Sequence, residues 1–338
     1  MEPSPARVCR RRGIRAAMVA LGLAVSGCAA ASHRLPPALP YPAPDLAFTM
    51  PDGTVLPARE WLPAGAPRGV VLALHGFGDS RDAWALPAPA FAADGLLVVA
   101  PDQRGFGATA TRGHWAGTEA MVADAAALVR QLRGRWPGLP VTVMGESMGG
   151  AVAMLLAAAP DMPGASAPDT TVLVSPAVWT RAQLGVVLSS SLFLANAFLP
   201  DHEVTGSEVP LHLVACDNRD ALLRLYYDPL TLHATRFAAL SGLVTLMDEA
   251  SAATWGALPA TARRAFYTGG YHMLLRDLDR ALPVADILAW LRSPDAWLPS
   301  GADAAAAAWQ AGQSWRGEPS AWLPAGLDDL APGESPTF

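Results

Sequence analysis

The sequence predicts an α/β fold with a mostly parallel central sheet, helices on both faces and an inserted helical cap. Short, wholly apolar segments of the kind buried in parallel sheets alternate with longer helical patterns. From residue 179 to residue 253 this alternation stops, and apolar residues at helical spacing replace it, which indicates the cap. Most of the Leu and Phe side chains of this segment are expected to pack onto the sheet domain. A Gly-x-Ser-x-Gly sequence at Gly145–Gly149 directly follows one apolar segment and precedes a helical one.

Each element has its own signal in the sequence. Two early strands flank the turn residues Pro51-Asp52-Gly53, a pattern typical of a hairpin. The central strands are short apolar runs, and the helix between them is amphipathic. We expect strands at Ala47–Met50, Thr54–Trp61, Gly69–Leu74, Leu96–Ala100, Val141–Met144 and Thr170–Ser175, a helix at Thr118–Arg135 capped by Thr118, and a last strand at Ala265–Thr268.

The N-terminus predicts a secretory signal peptide. Arginines at 10–12 precede an apolar run at 16–24, which is shorter than the roughly 20 residues that cross a bilayer. Residues 25–28 resemble a bacterial lipobox, after which Cys28 would be lipidated and would anchor the exported protein to a membrane of the cell envelope. The alternative is an ordinary signal peptide cleaved near residues 29–31.

The chain divides into segments of different composition. We expect a signal peptide with a lipobox at 1–28, a Pro-rich spacer at 29–44, the first part of the α/β core at 45–178, the cap at 179–253, the last part of the core at 254–295, and a poorly ordered tail at 296–338.

Composition excludes several classes of function. The net charge is −6 and only 16% of the residues are charged, so no basic surface for nucleic acid is expected. If Cys9 is removed and Cys28 is lipidated, Cys216 stands alone, and we expect it to be a buried structural thiol. The sequence contains no metal-ligand cluster, phosphate loop or dinucleotide fingerprint, so no cofactor is predicted; it carries no signal for an oligomeric state.

Ser147 is the candidate nucleophile. A serine on a sharp strand-to-helix turn exposes its Oγ for attack on a carbonyl, and the flanking glycines permit the tight packing of such a turn. The alternative is a simple Gly-rich turn. Acyl transfer also needs donors for the oxyanion, and we assign them to the backbone N–H groups of Phe77 and Met148. His75, at the end of its strand, is expected to be structural.

His272 is the candidate base. It follows the last predicted strand, so it is expected at the same edge of the sheet as Ser147. The chain order nucleophile, acid, histidine is usual in this kind of architecture, which favours a late histidine over the others in the chain.

Together these motifs resemble the α/β-hydrolases of the monoacylglycerol lipase and lysophospholipase branch, which is related to the serine aminopeptidases. The resemblance covers roughly residues 45–292 and implies a serine esterase acting on acyl lipids such as monoacylglycerols or lysophospholipids. In that family Asp102 and Arg104 belong to a structural turn. The matching segments are His75–Ser80, Pro101–Gly107, Gly145–Gly150, Asp228–Leu230 and Gly270–His272.

The chain departs from the family at the acid of the catalytic triad. Relatives carry a strand, an Asp-bearing loop and a helix between cap and histidine, a unit of about 30 residues. Here residues 251–262 stand in its place and contain no carboxylate, so one late strand-helix unit is missing. Asp217 is the replacement that we consider first, with Asp248 or Glu249 less favoured. Two alternatives to a lipid esterase stay open: a degenerate hydrolase that binds an acyl ligand without turnover, and a peptidase.

Overall fold

The computed structural model describes residues 41–159, 167–208, 214–255 and 262–312. Six strands form the central sheet in the order β1-β2-β4-β3-β5-β6. Strands β3 to β6 are parallel to one another, whereas β1 and β2 form an antiparallel hairpin whose second strand pairs with β4. The strands are β1 (Leu46–Thr49), β2 (Val55–Trp61), β3 (Gly69–Leu74), β4 (Leu96–Pro101), β5 (Val141–Glu146) and β6 (Thr170–Val174).

The helices lie on both faces of this sheet. The helix expected at Thr118–Arg135 has those bounds in the structure, but Gly117 with φ 90° precedes it as the cap residue, so Thr118 is its first helical residue. The helices are α1 (Ala88–Ala93), α2 (Thr118–Arg135), α3 (Met148–Ala158), α4 (Arg181–Phe198), α5 (Arg219–Tyr227), α6 (Phe237–Ala250), α7 (Ala281–Arg292) and α8 (Ala302–Gly312).

Two apolar cores separate the sheet from its helices. Alternate residues of a strand point to opposite faces, so Leu72 packs into the core beneath α2, α3 and α6, and Val71 into the core beneath α1 and α7. Strands β3, β4 and β5 are buried along their whole length. Because these strands are packed on both faces, they form a rigid support for Ser147, which follows the carboxyl end of β5.

The cap was expected to be mostly helical, and it also contains a short antiparallel pair, β7 (Glu203–Thr205) and β8 (Ala234–Arg236). The apolar residues of α4 were expected to pack onto the sheet domain, but none of the described residues of α4 is buried, and Val187 is 82% exposed. The helix lies against α6 rather than against the sheet, which leaves its apolar side chains in contact with solvent.

The predicted last strand at residues 265–268 is wrong. The segment has no strand hydrogen bonds to the central sheet, and within the described residues that sheet ends at β6. Its polar groups bond to the C-terminal part of the chain instead. The N–H of Phe266 donates to the carbonyl of Ala302 at 3.0 Å, and the hydroxyl of Tyr267 donates to Asp286 at 2.8 Å.

The first part of the tail is also more ordered than expected. Residues 302–312 form α8, and Asp303 at its start is buried. Asp303 accepts hydrogen bonds from Arg263 at 2.7 Å and from the N–H of Leu298 at 3.1 Å, which ties the helix to the core.

Several predictions fall outside the described residues: the signal peptide, the lipobox, Cys28, most of the spacer and residues 313–338. Among the helices that the structure does describe, none combines the length and apolar character needed to cross a membrane.

Candidate active site

Ser147 occupies a sharp turn between β5 and α3. Its backbone has φ 52° and ψ −116°, a conformation that non-glycine residues rarely adopt and that costs about 1–3 kcal/mol. The turn is held from the side of β6, because the N–H of Ser147 donates to Val174 at 3.0 Å and its carbonyl accepts from Ala177 at 2.9 Å. The side chain is thereby presented at the carboxyl edge of the parallel strands.

The two glycines of the motif are required by close packing. A Cβ at Gly149 would lie 2.3 Å from the carbonyl oxygen of Leu74, and a Cβ at Gly145 would lie 2.2 Å from the carbonyl oxygen of Gly149. Both distances are far shorter than van der Waals contact. The helix can therefore start directly against β3 and β5 only with glycine at these positions.

The structure brings His272 to Ser147. The imidazole Nε2 lies 2.9 Å from the serine Oγ, a hydrogen-bonding distance across 125 residues of chain. His272 is in a loop and partly open to solvent. Desolvation by its surroundings and then the charge of Arg276 lower the pKa of the imidazole. A neutral ring with its proton on Nδ1 can accept a hydrogen bond from the Ser147 hydroxyl at Nε2.

The two predicted oxyanion donors lie beside the nucleophile. Met148 begins α3, and Phe77 follows Gly76, where a Cβ would be 3.4 Å from the Cβ of Ser147. Within the described part of the chain, the N–H groups of Phe77 and Met148 form no hydrogen bond. The free amide of Met148 at the start of α3 favours a negative charge in front of it.

His75 lies in the interior beneath this loop. Its Nδ1 is 2.7 Å from the carbonyl of Gly76, and its Nε2 accepts from the N–H of Gln103 at 3.0 Å. Burial lowers the pKa of this histidine, so the ring is neutral and both nitrogens are used. These contacts agree with the structural role expected from the sequence.

Asp102 and Arg104 likewise make scaffold contacts. Asp102 forms a fully buried ion pair with Arg81 and accepts the N–H of Ala108 at 2.8 Å. Arg104 binds Asp124 through two nitrogens, at 2.8 and 2.7 Å. Both interactions stabilise the loop after β4, as the resemblance implied.

The structure brings none of the considered acids to His272. Within the described residues, the hydrogen bond to Ser147 is the only one that the imidazole forms. Asp217 accepts the N–H of Leu278 at 2.8 Å. Asp248, beside Glu249 at the end of α6, accepts the N–H of Arg181 at 2.7 Å in the cap.

A buried arginine was missed in the sequence. Arg276 lies four residues after His272, and its side chain is 8% exposed. Its Nη1 is 2.7 Å from Asp79, next to the oxyanion loop, and its Nη2 is 2.5 Å from Glu146, the residue before the nucleophile. Burial alone would lower the pKa of Arg276, but the two carboxylates raise it overall, so the guanidinium stays charged. The sequence did contain a signal for this arginine, because Asp79 and Glu146 are acidic residues within the two motif segments. A carboxylate that is buried there needs a partner of opposite charge.

One group of side chains resembles a metal site by distance alone. The ligand atoms of Cys216, Asp217 and Asp277 all lie within 4.8 Å of one another. Cys216 is buried, as expected, and burial raises the pKa of its thiol to about 12.

The parallel sheet, the covering helices, the cap and the serine turn define an α/β-hydrolase. Residues 65–258 match the family described as "Serine aminopeptidase, S33", and the chain belongs to that family. The matched stretch contains Ser147 and ends before His272.

Two curated relatives are similar to this chain in sequence, and one solved structure is similar to it in fold. The human monoglyceride lipase is 35% identical over 148 residues, which are 43% of this chain and 47% of that protein. The monoacylglycerol lipase of Mycolicibacterium smegmatis is 28% identical over 266 residues, 69% of this chain and 91% of that protein. A soluble variant of monoglyceride lipase from Saccharomyces cerevisiae, in complex with a substrate analogue, superposes with a TM-score of 0.51 at 19% identity, covering 62% of this chain and 72% of that one. This chain thus spans about half the length of the human relative, and the structural likeness establishes the fold.

Proposed function

We propose that this protein is a serine hydrolase that cleaves carboxylic esters of acyl lipids, such as monoacylglycerols or lysophospholipids. The observation that carries the proposal is the 2.9 Å approach of His272 Nε2 to Ser147 Oγ at a strained strand-to-helix turn. Nucleophile, base and free oxyanion donors at one sheet edge are the groups that acyl transfer needs.

The proposed reaction has two halves. Ser147 Oγ attacks the ester carbonyl carbon while His272 Nε2 takes the hydroxyl proton, and the N–H groups of Phe77 and Met148 bind the oxyanion. The C–O bond to the alcohol then breaks, and the alcohol leaves with the proton from His272. Water, deprotonated by His272, attacks the acyl-enzyme, and the carboxylic acid leaves as Ser147 recovers its proton. No cofactor takes part in these steps.

The names of the relatives support a lipid substrate, since the human and mycobacterial proteins are lipases of monoglycerides. The cap adds a second argument. Its helix α4 exposes large apolar side chains, with Val186 83%, Phe193 69% and Phe198 77% exposed. Exposed apolar side chains in the cap suit contact with an acyl lipid better than contact with a charged peptide.

The proposal includes a location. Lipidation of Cys28 would hold the hydrolase at a membrane of the bacterial cell envelope, where acyl lipids are present at high local concentration. The variant Cys28→Ser tests this part of the proposal separately. It cannot be lipidated at this position, so more of it should appear in the soluble fraction than of the wild type.

Hydrolysis by the full chain in mild detergent tests the function. A monoacylglycerol, a lysophospholipid and an aminoacyl anilide should be offered in parallel to the wild type and to Ser147→Ala. We expect release of fatty acid from the lipid esters, no release by the variant and little cleavage of the anilide. Cleavage of the anilide with no attack on the lipids would establish the peptidase alternative instead.

One observation favours a second candidate, a degenerate hydrolase that binds an acyl ligand without turnover. Within the described residues no carboxylate bonds to His272, and loss of the acid's role costs about 10⁴-fold in kcat in a serine protease triad. Saturable binding of a fatty acid by a wild type that releases none from any ester would support this candidate.

A further inference from the structure

Three segments of the chain meet at the site, and the side chain of Arg276 contacts the other two. Asp79 belongs to the oxyanion loop after β3, Glu146 ends β5 next to the nucleophile, and Arg276 follows the histidine loop. The Arg276 guanidinium contacts both carboxylates, at 2.7 Å and 2.5 Å. The three segments that carry Phe77, Ser147 and His272 are therefore linked through a single buried cation.

The histidine loop is held by main-chain contacts as well. The carboxylate of Asp277 accepts the N–H of Tyr271 at 2.7 Å, one residue before His272. The N–H of Met273, one residue after it, donates to the carbonyl of Ala215 at 2.7 Å. Asn218 donates to the carbonyl of Arg276 at 2.9 Å. The loop is fixed on both sides of the imidazole, while the imidazole itself bonds only to Ser147 among the described residues.

In a complete triad the acid orients the histidine and stabilises its charged form. We infer that Arg276, held by Asp79 and Glu146, is a positioning residue that performs the orienting part of this role. The inference rests on the proposed hydrolase function. Arg276 does not supply the second part, because a positive charge near His272 disfavours the imidazolium.

Burial and charge make this role specific to arginine. A guanidinium presents several donors in a fixed fork and can bond two carboxylates at once, whereas an ammonium is a point charge on a flexible stem. Asp79 and Glu146 are 7% and 5% exposed in their side chains, so each needs a partner. Lysine at position 276 would preserve the positive charge but would not bond both carboxylates in the same fixed geometry.

The test compares kcat, KM and the pH profile of ester hydrolysis for the wild type, Arg276→Lys, Arg276→Met and Glu146→Gln. A misplacement of about 1 Å costs on the order of 10²-fold in rate. We expect kcat to fall about 10²-fold in Arg276→Met and about tenfold in Arg276→Lys, with KM changed less than about threefold. The matched control is Arg104→Lys, which weakens a similar two-carboxylate contact away from His272 and should keep kcat.

The pH profile separates positioning from mere stability. Among the described residues, the charged groups that pair with Arg276 or lie on the loop after His272 are Asp79, Glu146, Arg276, Asp277, Asp279 and Arg280, and Asp217 bonds to this loop at Leu278. Arg276→Met removes the cation that contacts Asp79 and Glu146, so the acid limb of kcat/KM should move to higher pH. Arg276→Lys retains the charge and should leave the limb in place. A variant that is only less stable loses amplitude without moving the limb.

Circular dichroism at the assay temperature establishes which variants are folded. If Arg276→Met is unfolded, Arg276→Lys and Glu146→Gln decide the matter through kcat. Folded variants with the wild-type kcat and pH profile overturn the inference while the hydrolase function stands. A folded wild type that hydrolyses no ester overturns the proposed function instead, and the positioning role with it.

Discussion

The reactivity that we propose for Ser147 and His272 comes from their surroundings. The turn forces φ 52° on Ser147, and the strain persists because its N–H and carbonyl are both bonded to the chain at and after β6. His272 was predictable from its late position and its loop, and Ser147 from its motif. Arg276 was not, because its partners Asp79 and Glu146 are distant in sequence and become neighbours only when the strands align.

The pH dependence of catalysis follows from the environment of His272. In the proposed mechanism His272 must be neutral to act as the base, and desolvation together with the Arg276 charge lowers the pKa of the imidazole. A lowered pKa keeps the imidazole neutral to a more acidic pH. Activity should therefore be retained as the pH falls and be lost only below the usual pKa of a histidine. The midpoint of the acid limb of kcat/KM should lie below about 6.5. A midpoint at or above that value contradicts the geometry given for His272.

A substitution of Asp217 offers a second test of the residues around His272. Its carboxylate accepts the N–H of Leu278 and makes no described contact with His272. Asp217→Asn should therefore keep kcat within about threefold, whereas removing the acid of a working triad costs about 10⁴-fold. Steady-state hydrolysis of a soluble ester measures the difference, and a loss approaching the larger value would make Asp217 the acid.

Strands and helices pack closely around the turn at Ser147. Most of these elements were predicted from the sequence. The central strands and α2 were predictable because each is a locally coherent apolar or amphipathic pattern. The strand expected at residues 265–268 was not formed, since strand pairing is decided by neighbours that the local pattern does not specify. Phe266 there bonds to Ala302 of α8.

The packing of α3 against β3 predicts a contrast between two glycines. A Cβ at Gly149 would lie 2.3 Å from the carbonyl oxygen of Leu74, while a Cβ at Gly134 near the end of α2 meets nothing within 4 Å. Gly149→Ala should lower the free energy of unfolding by about 1–3 kcal/mol or more. Gly134→Ala should be neutral or raise it by up to about 1 kcal/mol, because alanine is the better helix former.

Urea unfolding of both variants measures this difference. Equal effects of the two substitutions would contradict the close approach of helix and strand at the nucleophile.

Across the whole molecule, buried ion pairs hold together loops that are distant in sequence. Arg81 and Asp102 join the segment after β3 to the loop after β4, and their side chains are 1% and 0% exposed. The pair Arg59–Asp82 lies nearer the surface, at 40% and 23% exposure. Sequence analysis placed Asp102 in a structural turn but did not identify its partner, because ion pairing depends on the folded arrangement.

Arg81→Met should lower the free energy of unfolding by about 3–5 kcal/mol, since it leaves a buried carboxylate without its partner. Arg59→Met removes an exposed partner and should cost no more than about 1 kcal/mol. Thermal or chemical unfolding of the two variants gives both values, and a cost for Arg81→Met as small as that for Arg59→Met would argue against the buried pair.

The central claim is that Ser147 is a nucleophile activated by His272, to which no carboxylate of the described residues bonds. Fluorophosphonate labelling of the full chain tests it most directly, because the reagent phosphonylates a serine whose Oγ loses its proton to a base as fluoride leaves. The account predicts labelling of the wild type at Ser147 and none in Ser147→Ala or His272→Ala. A folded wild type that takes up no label, or a His272→Ala variant labelled as fast as the wild type, would contradict it.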